Sequence, residues 1–172
     1  MTGLVGAVAN GVGAGVVATI AMSVPMLAAD KLGLMPEPPP EKITEDAMTA
    51  VGIEPADRTE RQENALATVT HVAFGASCGV VFALVRRRLG MRAPAWLQGI
   101  PFGLGVWAVS YKGWVPALGI LPPPEHDRPS RVRTMIAAHV VYGVVLGAVE
   151  GRGQRRQRYR GRSHRVTSRK GV

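Results

Sequence analysis

Charged residues are missing from four long stretches of this 172-residue chain. No Asp, Glu, Lys or Arg occurs in residues 1–29, 64–85, 93–111 or 134–149. A helix needs about 20 mostly apolar residues to cross the hydrocarbon core of a bilayer, with a lower limit of about 17. The first three windows satisfy this limit, and the fourth requires local thinning of the bilayer or flanking arginines that reach outward. A soluble bundle is disfavoured, because its helices need polar outer faces.

Cysteine and catalytic motifs are also scarce. Cys78 is the single cysteine, which excludes a disulfide within the chain. No HExxH, GxSxG or GxxxxGKS/T motif occurs, and no Cys/His cluster has the spacing of a metal site. We therefore expect no enzymatic activity, no cofactor and no bound metal. The first charge-free window lacks the basic start of a signal peptide, so we interpret it as a retained span.

The four charge-free windows predict an all-α membrane protein with four transmembrane helices. The predicted spans are at about 4–29, 66–85, 95–111 and 134–149. With their connections they form a transmembrane bundle over residues 1–150, in which residues 30–65 are an outer acidic loop. Residues 151–172 follow as a basic tail, for which we expect disorder.

The distribution of Lys and Arg in the connections predicts the orientation. The connection between the second and third spans holds four Arg, and the tail holds nine Lys or Arg. Residues 30–63 hold nine acidic residues against four basic ones. With four spans the two basic regions lie on one side, so that side and both termini are predicted to be cytoplasmic. Anionic lipid head groups are the expected partner of the tail, at about 1 kcal/mol per basic residue near the surface, rather than nucleic acid.

Three short motifs occur twice in the same order. They are Asn/Gln-Gly-x-x-x-Gly, Leu-Gly-x-x-Pro and His-Val-x-aromatic-Gly-x-x-x-Gly. They begin at Asn10, Leu32 and His71 in the first half and at Gln98, Leu118 and His139 in the second. We interpret the chain as a duplicated two-helix hairpin whose halves are related by a pseudo-twofold axis along the membrane normal. Chance similarity among glycine-rich spans is the alternative.

Each predicted span carries a Gly-x-x-x-Gly pair, which in lipid favours close approach of helices. The predicted helix-packing glycines are Gly11, Gly15, Gly75, Gly79, Gly99, Gly103, Gly143 and Gly147. His71 and His139 lie four residues before such a pair, so they share its face and point into the bundle. Two interpretations stay open for these histidines. Either they are neutral groups bonded to Ser23, Ser110 or Tyr111, or they titrate, relay protons or bind a cation as an intramembrane pair.

The stretch "SYKGWVPALGILPPP" follows the third span, and its Tyr111, Lys112 and Trp114 are predicted as interfacial anchors. Together with "HVAFGASCGVVF" and "AAHVVYGVVLG", it resembles the YagU-like family of small bacterial inner-membrane proteins. The resemblance covers the second to fourth spans best. It implies a multi-span protein of the bacterial inner membrane, without an established activity and without catalytic residues to transfer.

Two classes of function follow. The first is an integral inner-membrane protein without catalytic activity, which acts as a helix-packing module in the lipid bilayer and forms a homo-oligomer through its glycine faces. The alternative is a small transporter or a proton- or ion-handling protein that uses the paired intramembrane histidines. The sequence names no substrate and no physiological role.

Overall fold

The structure is a computed structural model, and it describes residues 2–34, 43–44, 46, 48–49, 59–90 and 93–169. Within these residues every regular element is helical and no strand is present. The helices are α1 (Thr2–Lys31), α2 (Glu60–Leu89), α3 (Ala95–Val109), α4 (Val115–Ala117) and α5 (Pro129–Arg169). A π-helical segment, Ser110–Trp114, joins α3 to α4. The predicted all-α fold is confirmed for this part of the chain.

Three of the helices are long and apolar enough to cross a membrane. The apolar stretches are Gly3–Lys31, Arg61–Leu89 and Pro129–Arg156. α3 starts where the third span is predicted, but its α-helical hydrogen bonding ends at Val109, so it is shorter than a span. Helical structure then continues through the π-helical segment and α4 to Ala117.

Helices α1, α2 and α5 extend beyond the charge-free windows that predict them. α2 ends with arginines at 86–88, which are favourable in a last turn because the helix dipole places negative charge there. α5 differs most from the prediction, since its backbone is helical to Arg169 through most of the tail for which disorder was expected. Gln and Arg are good helix formers, and no proline follows Pro129 to stop the helix. Residues 170–172 lie outside the described residues.

Both Leu-Gly-x-x-Pro motifs end a helix with the same turn. Gly33 and Gly119 have positive φ angles of 68° and 74°, which glycine adopts without strain. The N–H of the residue after each glycine donates to the C=O five residues earlier, at 2.9 Å in the first motif and 3.2 Å in the second. This bond closes the last helical turn and satisfies one of its free carbonyls.

The bundle consists of two antiparallel helix pairs, here named the first hairpin (α1 and α2) and the second hairpin (α3 and α5). α1 packs along both α2 and α5, and α3 packs along α5, whereas α2 and α3 approach each other closely at few backbone positions. The end that contains the start of α1 and the end of α2 is named the Arg-rich end. The opposite end, which contains residues 110–128, is named the loop end.

All eight glycines of the predicted Gly-x-x-x-Gly pairs are buried where the two helices of a hairpin are closest. Gly11 and Gly15 face Gly75 and Gly79, and Gly99 and Gly103 face Gly143 and Gly147. A Cβ added to Gly15 would lie 2.7 Å from the Cα of Ala76, and one added to Gly147 would lie 2.8 Å from the Cα of Trp96. Any larger residue therefore forces the backbones of a hairpin apart, which fixes the spacing around the space between the hairpins.

Candidate functional site

A cavity of about 450 Å³ lies between the two hairpins, in the half of the bundle toward the loop end. It is named the inter-hairpin cavity. Its lining comes from all five helices and the π-helical segment, together with residues 43, 44 and 48 of the outer acidic loop. Most of the lining is apolar, and the polar groups are few. This volume and this mixture are typical of sites that bind small molecules.

Both predicted intramembrane histidines line the cavity, His71 from α2 and His139 from α5. His139 is 7% exposed, and its Nδ1 lies 2.8 Å from the C=O of Met135. Because a carbonyl only accepts hydrogen bonds, Nδ1 carries the proton in the neutral ring and Nε2 carries a lone pair. The structure therefore places the two imidazoles in one cavity and fixes the tautomer of one of them.

The bonds that were expected between the histidines and their neighbours differ from the observed ones. Ser110 and Tyr111 line the cavity beside the histidines, whereas Ser23 does not. The Ser110 hydroxyl donates to the C=O of Val106 at 2.7 Å, and that of Ser23 donates to the C=O of Thr19 at 3.0 Å. Serine hydroxyls in helices often bond to the carbonyl one turn earlier, which explains why they do not reach the imidazoles.

Sulfur atoms also line the cavity. Met22 and Met26 contribute from α1, Met48 from the outer acidic loop and Met135 from α5, and Cys78 contributes from α2. The sequence gives no signal for these methionines, because they lie far apart in the chain and no metal-site spacing includes them. Only the bundle brings them together.

Aromatic side chains bridge the gap between α2 on one side and α3 with the π-helical segment on the other. Phe74 contacts Trp114 with ring centres 6.4 Å apart, and Phe82 contacts Phe102 at 5.0 Å. The Tyr142 hydroxyl donates to the C=O of Gly75 at 2.7 Å, which ties α5 to α2 within the cavity wall. The two hairpins therefore meet through large side chains here, rather than through glycine contacts.

The outer acidic loop covers part of the cavity at the loop end. Ile43 and Met48 line it, and the hydroxyl of Thr44 lies 2.8 Å from that of Thr70 on α2. In this loop Ile43, Ala47 and Val51 recur at helical spacing, which predicts either a short amphipathic helix or a solvated loop. Residues 43, 44, 46, 48 and 49 are helical. The other residues of that predicted helix, Ala47 and Val51, lie outside the described residues.

Charged groups at the loop end form pairs with one another. Arg131 Nη1 lies 3.2 Å from Asp127 Oδ1, and Tyr111 donates a hydrogen bond to the same carboxylate. At the surface, Lys112 Nζ lies 2.7 Å from Glu125 Oε1, and this hydrogen bond lowers the pKa of the Glu125 carboxyl. These two pairs compensate part of the charge at this end.

The three predicted interfacial anchors differ in position. Lys112 is exposed, as an anchor should be, and Trp114 is half-buried and lines the cavity. Tyr111 is 2% exposed, so its side chain packs inside the protein, unlike the exposed ring expected of an interfacial anchor. The π-helical segment turns this side chain inward, where the carboxylate of Asp127 accepts its hydrogen bond. Such segments are frequent at functional sites.

A second polar cluster lies at the Arg-rich end, and its central residue, Glu150, was not among the residues predicted from the sequence. Glu150 is fully buried and forms an ion pair with Arg86, whose side chain is 11% exposed. Arg86 Nε donates to Gln98 Oε1 at 3.0 Å, and Asn10 Nδ2 donates to the C=O of Glu150 at 2.9 Å. Gln154 also donates to the Glu150 carboxylate. The available signal was the position of Glu150, a single acid among arginines directly after a charge-free window.

Residues for an ordinary metal site are not gathered in the described part of the chain. There, no three side chains of His, Cys, Asp or Glu lie close enough together to hold a metal ion. The inter-hairpin cavity offers one thiol, two imidazoles and the methionine thioethers instead.

Comparison with known proteins gives one match. The model of a protein family described as a family of unknown function (DUF6789) matches residues 5–160. No curated protein matches the chain. No solved structure matches it either. The family match does not test the resemblance to the YagU-like family, which stays a prediction.

Proposed function

We propose that this chain, which belongs to the DUF6789 family of unknown function, is an integral membrane protein that binds a small ligand between its two hairpins. In this role it is a small, non-enzymatic carrier of the bacterial inner membrane. The observation that supports the proposal is the inter-hairpin cavity, which has both intramembrane histidines in its lining. Ionisable groups at such a depth are costly in lipid, and they usually serve a bound ligand, ion or proton.

The alternative is a packing module that assembles through its glycines. All eight Gly-x-x-x-Gly residues already contact the neighbouring helix of their own hairpin. None of these eight glycines is therefore available for packing against a second copy of the chain. The geometry supports the carrier over the module, and a homo-oligomer stays a prediction.

The carrier is proposed to be a duplicated hairpin, with the third span completed by the π-helical segment. Two matched features support duplication: the same helix-ending turn at Gly33 and Gly119, and the same glycine contacts within each hairpin. The proposed orientation has both termini in the cytoplasm, which is the side that the basic connections favour. The loop end and the mouth of the cavity then face outward.

Cys78 provides a direct test, because the single cysteine of the chain lines the cavity. The protein is reconstituted in liposomes and treated with a small, charged thiosulfonate reagent. If water and ligands enter the cavity, Cys78 forms a thiolate and reacts. The matched control is Cys78→Ser/Ser77→Cys, which moves the thiol to a neighbouring exposed position on α2, where lipid surrounds it.

Cys78 is expected to react about tenfold faster than the displaced cysteine, because thiols surrounded by lipid stay protonated and unreactive. Equal and slow modification of the two proteins would mean that the cavity is closed to solutes. The carrier proposal would then be wrong. Circular dichroism of both proteins verifies that they are equally folded.

A further inference from the structure

The described methionines are concentrated in one place. All four of them, at positions 22, 26, 48 and 135, line the inter-hairpin cavity, and so does Cys78. Methionine is a common filler of irregular cores, but filler residues are expected throughout a core. Toward the Arg-rich end the buried core contains Ala14, Phe82 and Leu146 and, among the described residues, no methionine. The sulfur atoms therefore follow the cavity and not the core as a whole.

Two pairs of sulfur and imidazole donors each share one helix face toward the cavity. Met22 and Met26 are four residues apart on α1, and Met135 and His139 are four residues apart on α5, so each pair shares a helix face. α1 runs toward the loop end and α5 runs away from it, so Met26 and Met135 lie nearer the loop end. Met22 and His139 each lie about 6 Å deeper along the axis of their own helix, by the rise of about 1.5 Å per residue.

His139 has the orientation that is usual for a metal ligand. Its Nδ1–H is held by the C=O of Met135 at 2.8 Å. Metal-binding histidines nearly always donate their second ring N–H to such an acceptor, which fixes the ring and leaves the other nitrogen for the metal. The Nε2 lone pair needs a hydrogen-bond donor or a Lewis acid as its partner, because it has no proton to give to a ligand.

We propose that the inter-hairpin cavity binds Cu(I) through methionine thioethers and the imidazoles of His71 and His139. Thioether and imidazole ligands select this soft ion over hard cations. Among the described residues no carboxylate lines the cavity, and Asp127 at the loop end is paired with Arg131. A neutral lining is better suited to a monovalent ion than to a dication, whose desolvation costs more. This inference rests on the proposed carrier function and names its ligand.

The test is a titration of the full-length protein in detergent with Cu(I), under anaerobic reducing conditions and in competition with a chromogenic Cu(I) chelator. One Cu(I) per chain is expected. Met22→Leu/Met26→Leu and His71→Gln/His139→Gln should each weaken binding by at least about tenfold, the size of effect that altered metal sites show. Leucine replaces methionine at nearly equal volume, so the first variant should fold.

The matched control is Val17→Leu/Ile20→Leu, which changes two exposed residues of α1 that do not line the cavity, and its affinity should be unchanged. X-ray absorption of the Cu(I) form should show sulfur neighbours that the methionine variant lacks. Equal Cu(I) affinity in all variants would overturn the proposal. So would a Soret band with haemin that depends on both histidines, because the ligand would then be a tetrapyrrole.

The Cys78 experiment separates this inference from the proposed function. If Cys78 reacts as expected but Cu(I) does not bind, the cavity binds something else and only the choice of ligand is wrong. If Cys78 is inert, the carrier proposal and the copper site are both wrong. If Cys78 reacts and Cu(I) binds, bound Cu(I) should also slow the modification of Cys78, because the thiol lines the occupied cavity.

Discussion

Glu150 shows how much a single side chain depends on its neighbours. It is fully buried, and its carboxylate interacts with Arg86 and Gln154, while its backbone C=O accepts from Asn10. These groups come from α1, α2 and α5, so the cluster links both hairpins at the Arg-rich end. A buried ion pair adds little to stability as a whole, but removing one partner leaves an uncompensated charge in a low dielectric.

Glu150→Ala is therefore expected to destabilise the bundle by about 3–5 kcal/mol, because Arg86 loses its counter-charge. Arg87→Ala is the control, since Arg87 is exposed and donates to the backbone C=O of Gly3. Thermal unfolding in detergent measures both variants. A similar loss in the two would show that the buried pair has no special role, and partial recovery in Arg86→Glu/Glu150→Arg would support it.

At the scale of the elements, the helix pairs are held by glycines whose positions follow from the sequence. The Gly-x-x-x-Gly spacing predicts which face of each helix is packed, and all eight residues are found buried at helix contacts. Sequence alone did not identify the partner of each glycine, because a face that accepts another helix could equally accept a second copy of the chain. Nor did it predict the π-helical segment, whose Tyr111 donates to Asp127, a residue outside the segment.

Gly15→Ala and Gly103→Ala should each lower the stability by about 1–3 kcal/mol, because an added methyl group forces the backbones of a hairpin apart. The chain offers matched controls two residues away. Gly13 and Gly105 have no atom within 4 Å of an added Cβ, so Gly13→Ala and Gly105→Ala should be neutral or stabilising. A gain of up to about 1 kcal/mol follows from the higher helix propensity of alanine. Melting curves in one detergent compare the four variants. Equal changes in stability at the packed and the open glycines would contradict the role of the packed glycines in helix contacts.

For the whole molecule, the two hairpins are similar but their contacts with each other are not. A strict pseudo-twofold axis would pair α2 with α3 as closely as α1 with α5. The observed bundle instead packs α1 along α5 and separates α2 from α3, where Phe74–Trp114 and Phe82–Phe102 fill the gap. Because α2 and α3 are farther apart than α1 and α5, space remains between the hairpins for the inter-hairpin cavity.

The orientation of the whole bundle is tested by fusing alkaline phosphatase, which is active only outside the cytoplasm, to successive positions. The proposed topology predicts activity for a fusion after residue 124 and none after residues 90 or 156, because the arginines near those two positions retain them inside. Green fluorescent protein fusions at the same positions give the complementary signal. An active phosphatase after residue 156 would reverse the orientation and would place the mouth of the cavity in the cytoplasm.

The sequence by itself determined the helices, their apolar lengths and the faces that carry glycine and histidine, because these depend on composition and on the 3.6-residue period of a helix. It also predicted that His71 and His139 point inward. The tertiary structure decided what surrounds them: the methionines, Cys78, the buried Tyr111 and the ion pair of Arg86 with Glu150. These groups are distant in the chain and have no common spacing, so only the packing of four helices brings them together.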